Sequence, residues 1–272
     1  MAKRQMSAND TASRRYDGQA TTYDDRTAIA ERAACTVAAA VLAIAGGRRT
    51  VVEIGAGTGE LGRQFAALPC RYVGLDLSRA MLARFQAKLG EDAASASLVQ
   101  AECNRAWPLR DGAADAVIAM RVVHLLDAKL VAAEAKRVCR LGGFLLIGRV
   151  EHDESGLRER LRRERQRRFA EHGVHLPGGR QGGGRLIERC AAAGATLLGR
   201  RQVAEWVRPT ITAANVIAAW DAVDAWAGRP VEPVVQAEVQ NALRGWAEAE
   251  FGSLDHGEPC IERFFLDVVR FP

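Results

Sequence analysis

The six cysteines of this 272-residue chain stand at 35, 70, 103, 139, 190 and 260, and no two form a Cys-x-x-Cys pair. That pattern is neither a zinc ribbon nor a disulfide framework, and it reads as reduced thiols in a cytoplasmic protein. We expect no metal site from it. Long apolar runs are missing too. The longest, Ala33 to Ala45, is an alanine-rich stretch of 13 residues without the position or flanks of a signal peptide, so no membrane span is expected. It reads as a helix buried against a sheet. The seven arginines from Arg158 to Arg168 have no aromatic residue among them, so the stretch lacks a base-stacking platform and reads as a solvated helix face. The glycine-rich run 177–184 lacks the Lys-Ser/Thr of a phosphate loop and reads as a mobile connector, a candidate lid hinge. No internal repeat is visible. What remains, 48% apolar and 26% charged residues with a net charge of +5, is the composition of an ordinary globular protein with a mild arginine excess.

The informative segment is Val51-Val52-Glu53-Ile54-Gly55-Ala56-Gly57-Thr58-Gly59. It reads as an apolar strand entering a glycine turn, where the backbone can bend tightly and approach a ligand without Cβ interference. A helix follows, and then Tyr72-Val73-Gly74-Leu75-Asp76 supplies a second strand ending in an acid. Strand, glycine turn, helix and strand-terminal carboxylate make a pocket for an adenosine, with the carboxylate accepting from ribose hydroxyls. A nicotinamide or flavin fingerprint requires glycine at position 60, where this chain has Glu60, facing a pyrophosphate with negative charge. Glu53 stands where the ammonium of a zwitterionic ligand could be held.

These residues resemble the first motif, E/D-x-G-x-G-x-G, of class I S-adenosylmethionine-dependent methyltransferases, and four further segments match in order. Gly74 to Leu82 resembles the second motif. Val99-Gln100-Ala101-Glu102-Cys103 with Trp107-Pro108-Leu109 resembles the third, with Ala101 and Trp107 in place of the usual Gly and Leu. Asp111 to Ile118 resembles the approach to the fourth strand, and Cys139 to Ile147 the fifth, with Leu141 replacing Pro. The resemblance covers residues 16 to 150. It implies cofactor binding by Glu53, Gly55, Ala56, Gly57, Asp76, Leu77, Met81, Glu102, Cys103 and Met120. In this reading Asp76 holds the ribose, Leu77 and Met81 flank adenine, Glu102 accepts from its amino group and the Cys103 N–H reaches the ring. Trp107 stands near the adenine edge and could cover it. Tyr23-Asp24-Asp25-Arg26 resembles a YDxxR element whose Tyr23 and Arg26 approach the methionine end.

Alternation of strands and helices predicts an α/β fold, a doubly wound, mostly parallel seven-stranded sheet of the Rossmann-like methyltransferase type with helical cap insertions. Strands are predicted at 50–54, 71–75, 96–100, 115–119, 143–149, 196–207 and 261–271, the last pair as a hairpin. The expected organisation is a disordered N-terminus (1–15), a cofactor-binding core (16–150), a cap insertion (151–184), the rest of the core sheet (185–207 and 260–272) and a helical insertion (208–259). The first insertion is expected to cover the site, with the second adding to the cap. Trp220, Trp226 and Trp246 of the second read as packing anchors or as substrate walls.

Arg121 and His124 follow the fourth strand and Arg149 and His152 the fifth. His124 is a candidate general base and Arg121 a second catalytic candidate. Arg121 and Arg149 either recognise an anionic acceptor or pair with local acids. The expected activity is methyl transfer from S-adenosylmethionine, giving S-adenosylhomocysteine, to a small-molecule acceptor. The chain lacks the Asn/Asp-Pro-Pro-Tyr/Phe of base N-methylating enzymes, with Met120-Arg121-Val122-Val123 there instead, and a nucleic-acid partner is not expected. The alternatives are an RNA or protein methyltransferase docking through Arg158–Arg168, and a non-catalytic cofactor-binding protein. Acceptor atom, pathway and oligomeric state are not readable from the sequence.

Overall fold

The computed structural model describes residues 16–24, 29–47, 50–90, 96–175, 179–221, 225–226 and 229–272. Residues 1–15, Arg26 and residues 177–178 of the glycine-rich run lie outside these, as does the side chain of Trp226.

Among the described residues, those up to Arg149, Gly183–Ala204 and Phe265–Pro272 form one compact unit, and Val150–Gly182 with Glu205–Phe264 form a second. The elements in order are α1 (Glu31–Ile44), β1 (Thr50–Ile54), α2 (Gly62–Ala66), β2 (Arg71–Asp76), α3 (Arg79–Leu89), β3 (Ala96–Gln100) and β4 (Ala114–Met120). They continue through a single 3-10 turn (Val123–Leu125), α4 (Ala128–Val138), β5 (Cys139–His152), α5 (Leu157–Glu171), α6 (Gly179–Ala192) and β6 (Thr196–Thr212). Last come α7 (Ala213–Asp221), the two-residue strands β7 (Ala225–Trp226) and β8 (Arg229–Pro230), α8 (Pro233–Phe251) and β9 (Gly257–Arg270). Among the described residues no helix is long and apolar enough to cross a membrane.

The expected seven-stranded mixed sheet is present, in the order β3-β2-β1-β4-β5-β9-β6. The pairs β3/β2, β2/β1, β1/β4 and β4/β5 are parallel. Period-2 alternation explains how the strands pack: Val52 and Ile54 of β1 join Leu75, Val117, Ala119, Leu145 and Ile147 in one buried cluster, leaving Glu53 on the opposite face. Helix α4 closes that cluster with Val131, Ala132, Ala135 and Val138, spaced to share one helical face. Its start is set by Asp127, whose carboxylate caps the N–H groups of Lys129 and Leu130, and Lys136 and Arg137 sit in its last turn. In the second unit Leu157, Leu161, Ile211, Val216, Ile217 and Leu243 pack together, with Trp220 and Trp246 against them, so these two tryptophans are packing anchors.

Two expectations require correction, on the glycine-rich run and on the arginine-rich helix. Gly179 and Gly182–Gly184 do not form a connector but begin α6. Leu186 and Cys190, both fully buried, anchor that helix and outweigh the low helix propensity of its glycines. Trp107 is 3% exposed, within the cluster that includes Cys103 and Val131, and its indole N–H donates to the Cys103 carbonyl at 3.2 Å. The arginine-rich face of α5 is not simply solvated. Arg162 pairs with Glu159, Arg168 and Arg167 with Glu164, and Arg160 with Glu250 and Glu258. Arg165 is buried, with its guanidinium over the rings of Phe169 and Trp220.

The order reverses between β1 and β4, whose neighbours lie on opposite sides, and a ligand crevice opens beyond the carboxyl ends of strands at such a switch point. Packing behind this crevice is tight. A Cβ at Gly59, where φ is +78°, would lie 2.0 Å from the Phe85 ring. Gly59→Ala is therefore expected to cost about 2–4 kcal/mol of unfolding free energy through overpacking and left-handed strain, read from urea denaturation.

Candidate active site

The turn after β1 carries φ values of +68° at Gly55 and +54° at Gly57. At Gly55 a Cβ would fall 2.5 Å from Val122, so this glycine lets the β1 turn touch the loop that follows β4. At Gly57, among the described residues, it would meet only the Gly55 carbonyl oxygen at 4.0 Å. Ala56 between them is buried, its N–H donating to the Leu75 carbonyl at 3.0 Å.

Asp76 closes the turn from the end of β2. Its Oδ2 accepts from the Gly57 N–H and its Oδ1 from the Ser78 N–H, both at 2.8 Å. Burial raises its pKa against the pull of backbone bonds from Ser78, Gly57 and Leu77. An ionised carboxylate has about four acceptor positions, which leaves room for a ribose hydroxyl beside these backbone donors. Ser78 caps α3 by accepting from the Met81 N–H at 3.1 Å, which seats Met81 buried in the first turn. The Leu77 carbonyl accepts from Gln100 Nε2 at 3.1 Å. Glu102, beyond β3, is paired with Arg105 at 2.6 Å. The Cys103 sulfur lies against the Gly55 N–H, and burial pushes its thiol up to about 12.

Glu53 is 1% exposed and accepts from the Tyr72 hydroxyl at 2.5 Å. That hydroxyl would lie 2.3 Å from a Cβ at Gly62, so the glycine there makes room for it. Burial raises the Glu53 pKa to about 8, against the Tyr72 bond. Glu60, Arg121 and Asp76 all act on it electrostatically.

Met120 is buried at the end of β4, and the next residue, Arg121, has φ +53°, the one described residue other than glycine in the left-handed region. Its guanidinium donates to Glu60, which also accepts from the Ile29 N–H. Arg149 is likewise paired, with the buried Asp267. Both arginines thus take the ion-paired alternative. His124, in the 3-10 turn, is solvent-accessible, yet the protein around it lowers its pKa by desolvation, favouring the neutral ring that accepts a proton.

The segment before α1 crosses this region. Tyr23 is half-buried, and its neighbour Asp24 accepts from Thr58 Oγ1 and pairs with Lys88 at 2.7 Å. Asp17 accepts from Ser78 Oγ at 2.5 Å and from the Ala80 N–H at 3.2 Å. The sequence reading missed Asp17, Asp24, Glu60 and Tyr72. Tyr72 had a local signal, an aromatic hydroxyl on the strand beside the one bearing Glu53; the others pair across distances no motif spans.

A buried acid with a raised pKa leaves a pH signature. Between its ordinary 4.5 and about 8 the folded chain keeps a Glu53 proton that the unfolded chain has lost. Wild-type stability should therefore fall relative to Glu53→Gln as pH rises through that window, by up to about 1.4 kcal/mol per pH unit, and level off above it. Urea unfolding of both proteins across the window measures this.

Residues 52–147 match the family model described as "Methyltransferase domain". No curated protein matches the chain in sequence. Among solved structures the cyclase SpnF shares 17% identity at a TM-score of 0.61, covering 100% of this chain and 99% of its own. A methyltransferase-like protein of Bacillus halodurans shares 16% at 0.55, covering 86% and 98%. A phosphoethanolamine N-methyltransferase of Haemonchus contortus shares 15% at 0.54, covering 98% and 61%. These likenesses are likenesses of fold. The glycine turn and its strand-terminal Asp76 lie within the stretch the family model matches, and that stretch, residues 52–147, is a methyltransferase domain of the class I, S-adenosylmethionine-dependent kind.

Proposed function

We propose that the chain methylates a small-molecule acceptor by in-line displacement from S-adenosylmethionine. The observation that carries this is the pairing of Asp76, a strand-terminal carboxylate held by backbone N–H groups, with a Gly57 whose Cβ side is open among the described residues, at the sheet's switch point. The residues fit the cofactor. Among the described residues, Glu53, Glu60 and Asp76 against the guanidinium of Arg121 make a locally acidic crevice, suited to a ligand with a sulfonium and an ammonium. Glu53, largely protonated below pH 8, would ionise to meet the ammonium. Ala56, Leu77, Met81 and Met120 supply apolar surface, and Glu102 and the Cys103 N–H are assigned to adenine.

When bound, the cofactor supplies a methyl group already activated by its positive sulfur. The protein's share is alignment and exclusion of water. The acceptor–carbon bond forms as the carbon–sulfur bond breaks, its electron pair passing to sulfur. His124 takes the proton when the acceptor is a hydroxyl or an amine.

With Arg121 and Arg149 each ion-paired, no anionic acceptor is assigned. Glutamates along α5 also pair with Arg162, Arg167 and Arg168, three of the arginines that an RNA-docking reading would use. The Haemonchus contortus structure holds phosphomonomethylethanolamine and S-adenosylhomocysteine, which is in keeping with a small acceptor.

Calorimetric titration with S-adenosylmethionine and S-adenosylhomocysteine tests the reading. Asp76→Ala is expected to lose about 100-fold in affinity, hydrogen bonding of ribose to a charged group being removed. No binding by folded wild type overturns the proposal. With an acceptor in hand, His124→Ala should lower kcat about 100-fold and leave cofactor affinity unchanged, measured as S-adenosylhomocysteine formed per unit time.

A further inference from the structure

The second unit holds a cluster that methyl transfer does not use. His152 is the last residue of β5, and Cys260 and Glu262 are two apart on β9, so they project from one face of that strand. One imidazole nitrogen, the Cys260 sulfur and one Glu262 oxygen all lie within 4.8 Å of one another. His152 Nε2 stands 3.1 Å from Glu262 Oε1. The other oxygen, Oε2, accepts from Arg208 Nε at 2.7 Å, which fixes the carboxylate and leaves Oε1 turned toward His152. Cys260 and Glu262 are buried.

His152 and Cys260 also line a pocket of about 340 Å³, together with Asp153, Leu157, Ile211 and Glu258. The cluster therefore has a route from solvent and an open side.

We propose that His152, Cys260 and Glu262 form a binding site for a zinc-type divalent cation, with a fourth coordination position open to the pocket. One nitrogen, one thiolate and one carboxylate form a mixed donor set that suits zinc, while a thiolate disfavours magnesium or calcium. Tetrahedral zinc with bonds of about 2.0–2.3 Å places its ligand atoms roughly 3.5 Å apart, so the set needs side-chain adjustments of about 1 Å to close. Binding expels the thiol proton to solvent and replaces the His152–Glu262 hydrogen bond with two metal bonds. Arg208 then orients the ligating carboxylate from behind, as outer partners of metal ligands do. Three protein ligands and an open position are the arrangement of a metal that takes water or a pocket ligand, not that of a closed structural site. The three residues stand at 152, 260 and 262, so no spacing motif announces them.

Cobalt(II) is the probe, titrated into the full-length chain after chelation. Wild type is expected to bind one equivalent, with thiolate-to-cobalt charge-transfer absorption and the intense d–d bands of a four-coordinate ion, and zinc should displace it. Cys260→Ser should abolish the charge-transfer band. Arg208→Gln should keep the band and weaken binding about 10–100-fold. His152→Gln, which retains the thiolate, should also keep a band while losing at least about tenfold in affinity, and serves if Cys260→Ser does not fold. Folded wild type that binds no cobalt overturns the proposal, leaving a closed His152–Glu262–Arg208 ion-pair network. A charge-transfer band that survives Cys260→Ser overturns it equally, because the thiolate would then come from another cysteine.

Discussion

A buried carboxylate must be repaid for its lost water, and at Asp76 two backbone N–H groups do this. The bond to Gly57 ties the β1 turn to β2, and the bond to Ser78 ties β2 to the start of α3. Those N–H groups belong to a turn and to a helix entrance, where backbone donors lack partners of their own. One side chain thus satisfies the orphan donors and holds the turn's conformation. The close approach of Gly55 to Val122 completes the constraint, bringing the loops after β1 and β4 into contact.

Around that frame the charges are arranged in pairs. Arg121 stands in a left-handed conformation that costs a side-chain-bearing residue energy, and its guanidinium is held by Glu60. Glu53 rests against the Tyr72 hydroxyl, which occupies the space left by Gly62. Strain and burial are concentrated at the carboxyl ends of β1 and β4, where the sheet order reverses. The remaining acidity of the crevice favours a cationic ligand over a pyrophosphate, in line with Glu60 standing where a dinucleotide fingerprint has glycine.

The second unit uses its charge differently. In α5 Arg162, Arg167 and Arg168 pair at three- and four-residue spacing with glutamates on the same helix, and Arg160 pairs with Glu250 of α8 and Glu258 of β9. Arg165 gives up hydration for two aromatic faces. A basic stretch that reads as solvated is in the folded chain part of the packing. The same unit gathers His152, Cys260 and Glu262 into one cluster beside a pocket, although the chain spaces them by up to 110 residues.

By itself the sequence determined what depends on neighbours along the chain. Period-2 runs set the strands, helical spacing of Val131, Ala135 and Val138 set the face of α4, and Asp127 and Ser78 set two helix starts. The glycine turn and the acid at the end of β2 were legible for the same reason, since backbone conformation and its ligands lie within one supersecondary unit. Where local propensity and burial disagree, as at Gly182–Gly184 ahead of Leu186 and Cys190, burial prevailed. Tertiary structure alone decided the partners of the charged and polar groups. Glu60 meets Arg121, Arg149 meets Asp267 and Glu262 meets His152 because of which strand lies beside which, including β9 between β5 and β6. Such pairings hold residues 61, 118 and 110 positions apart. No local rule reaches that far, because the free energy that brings them together belongs to the packed sheet.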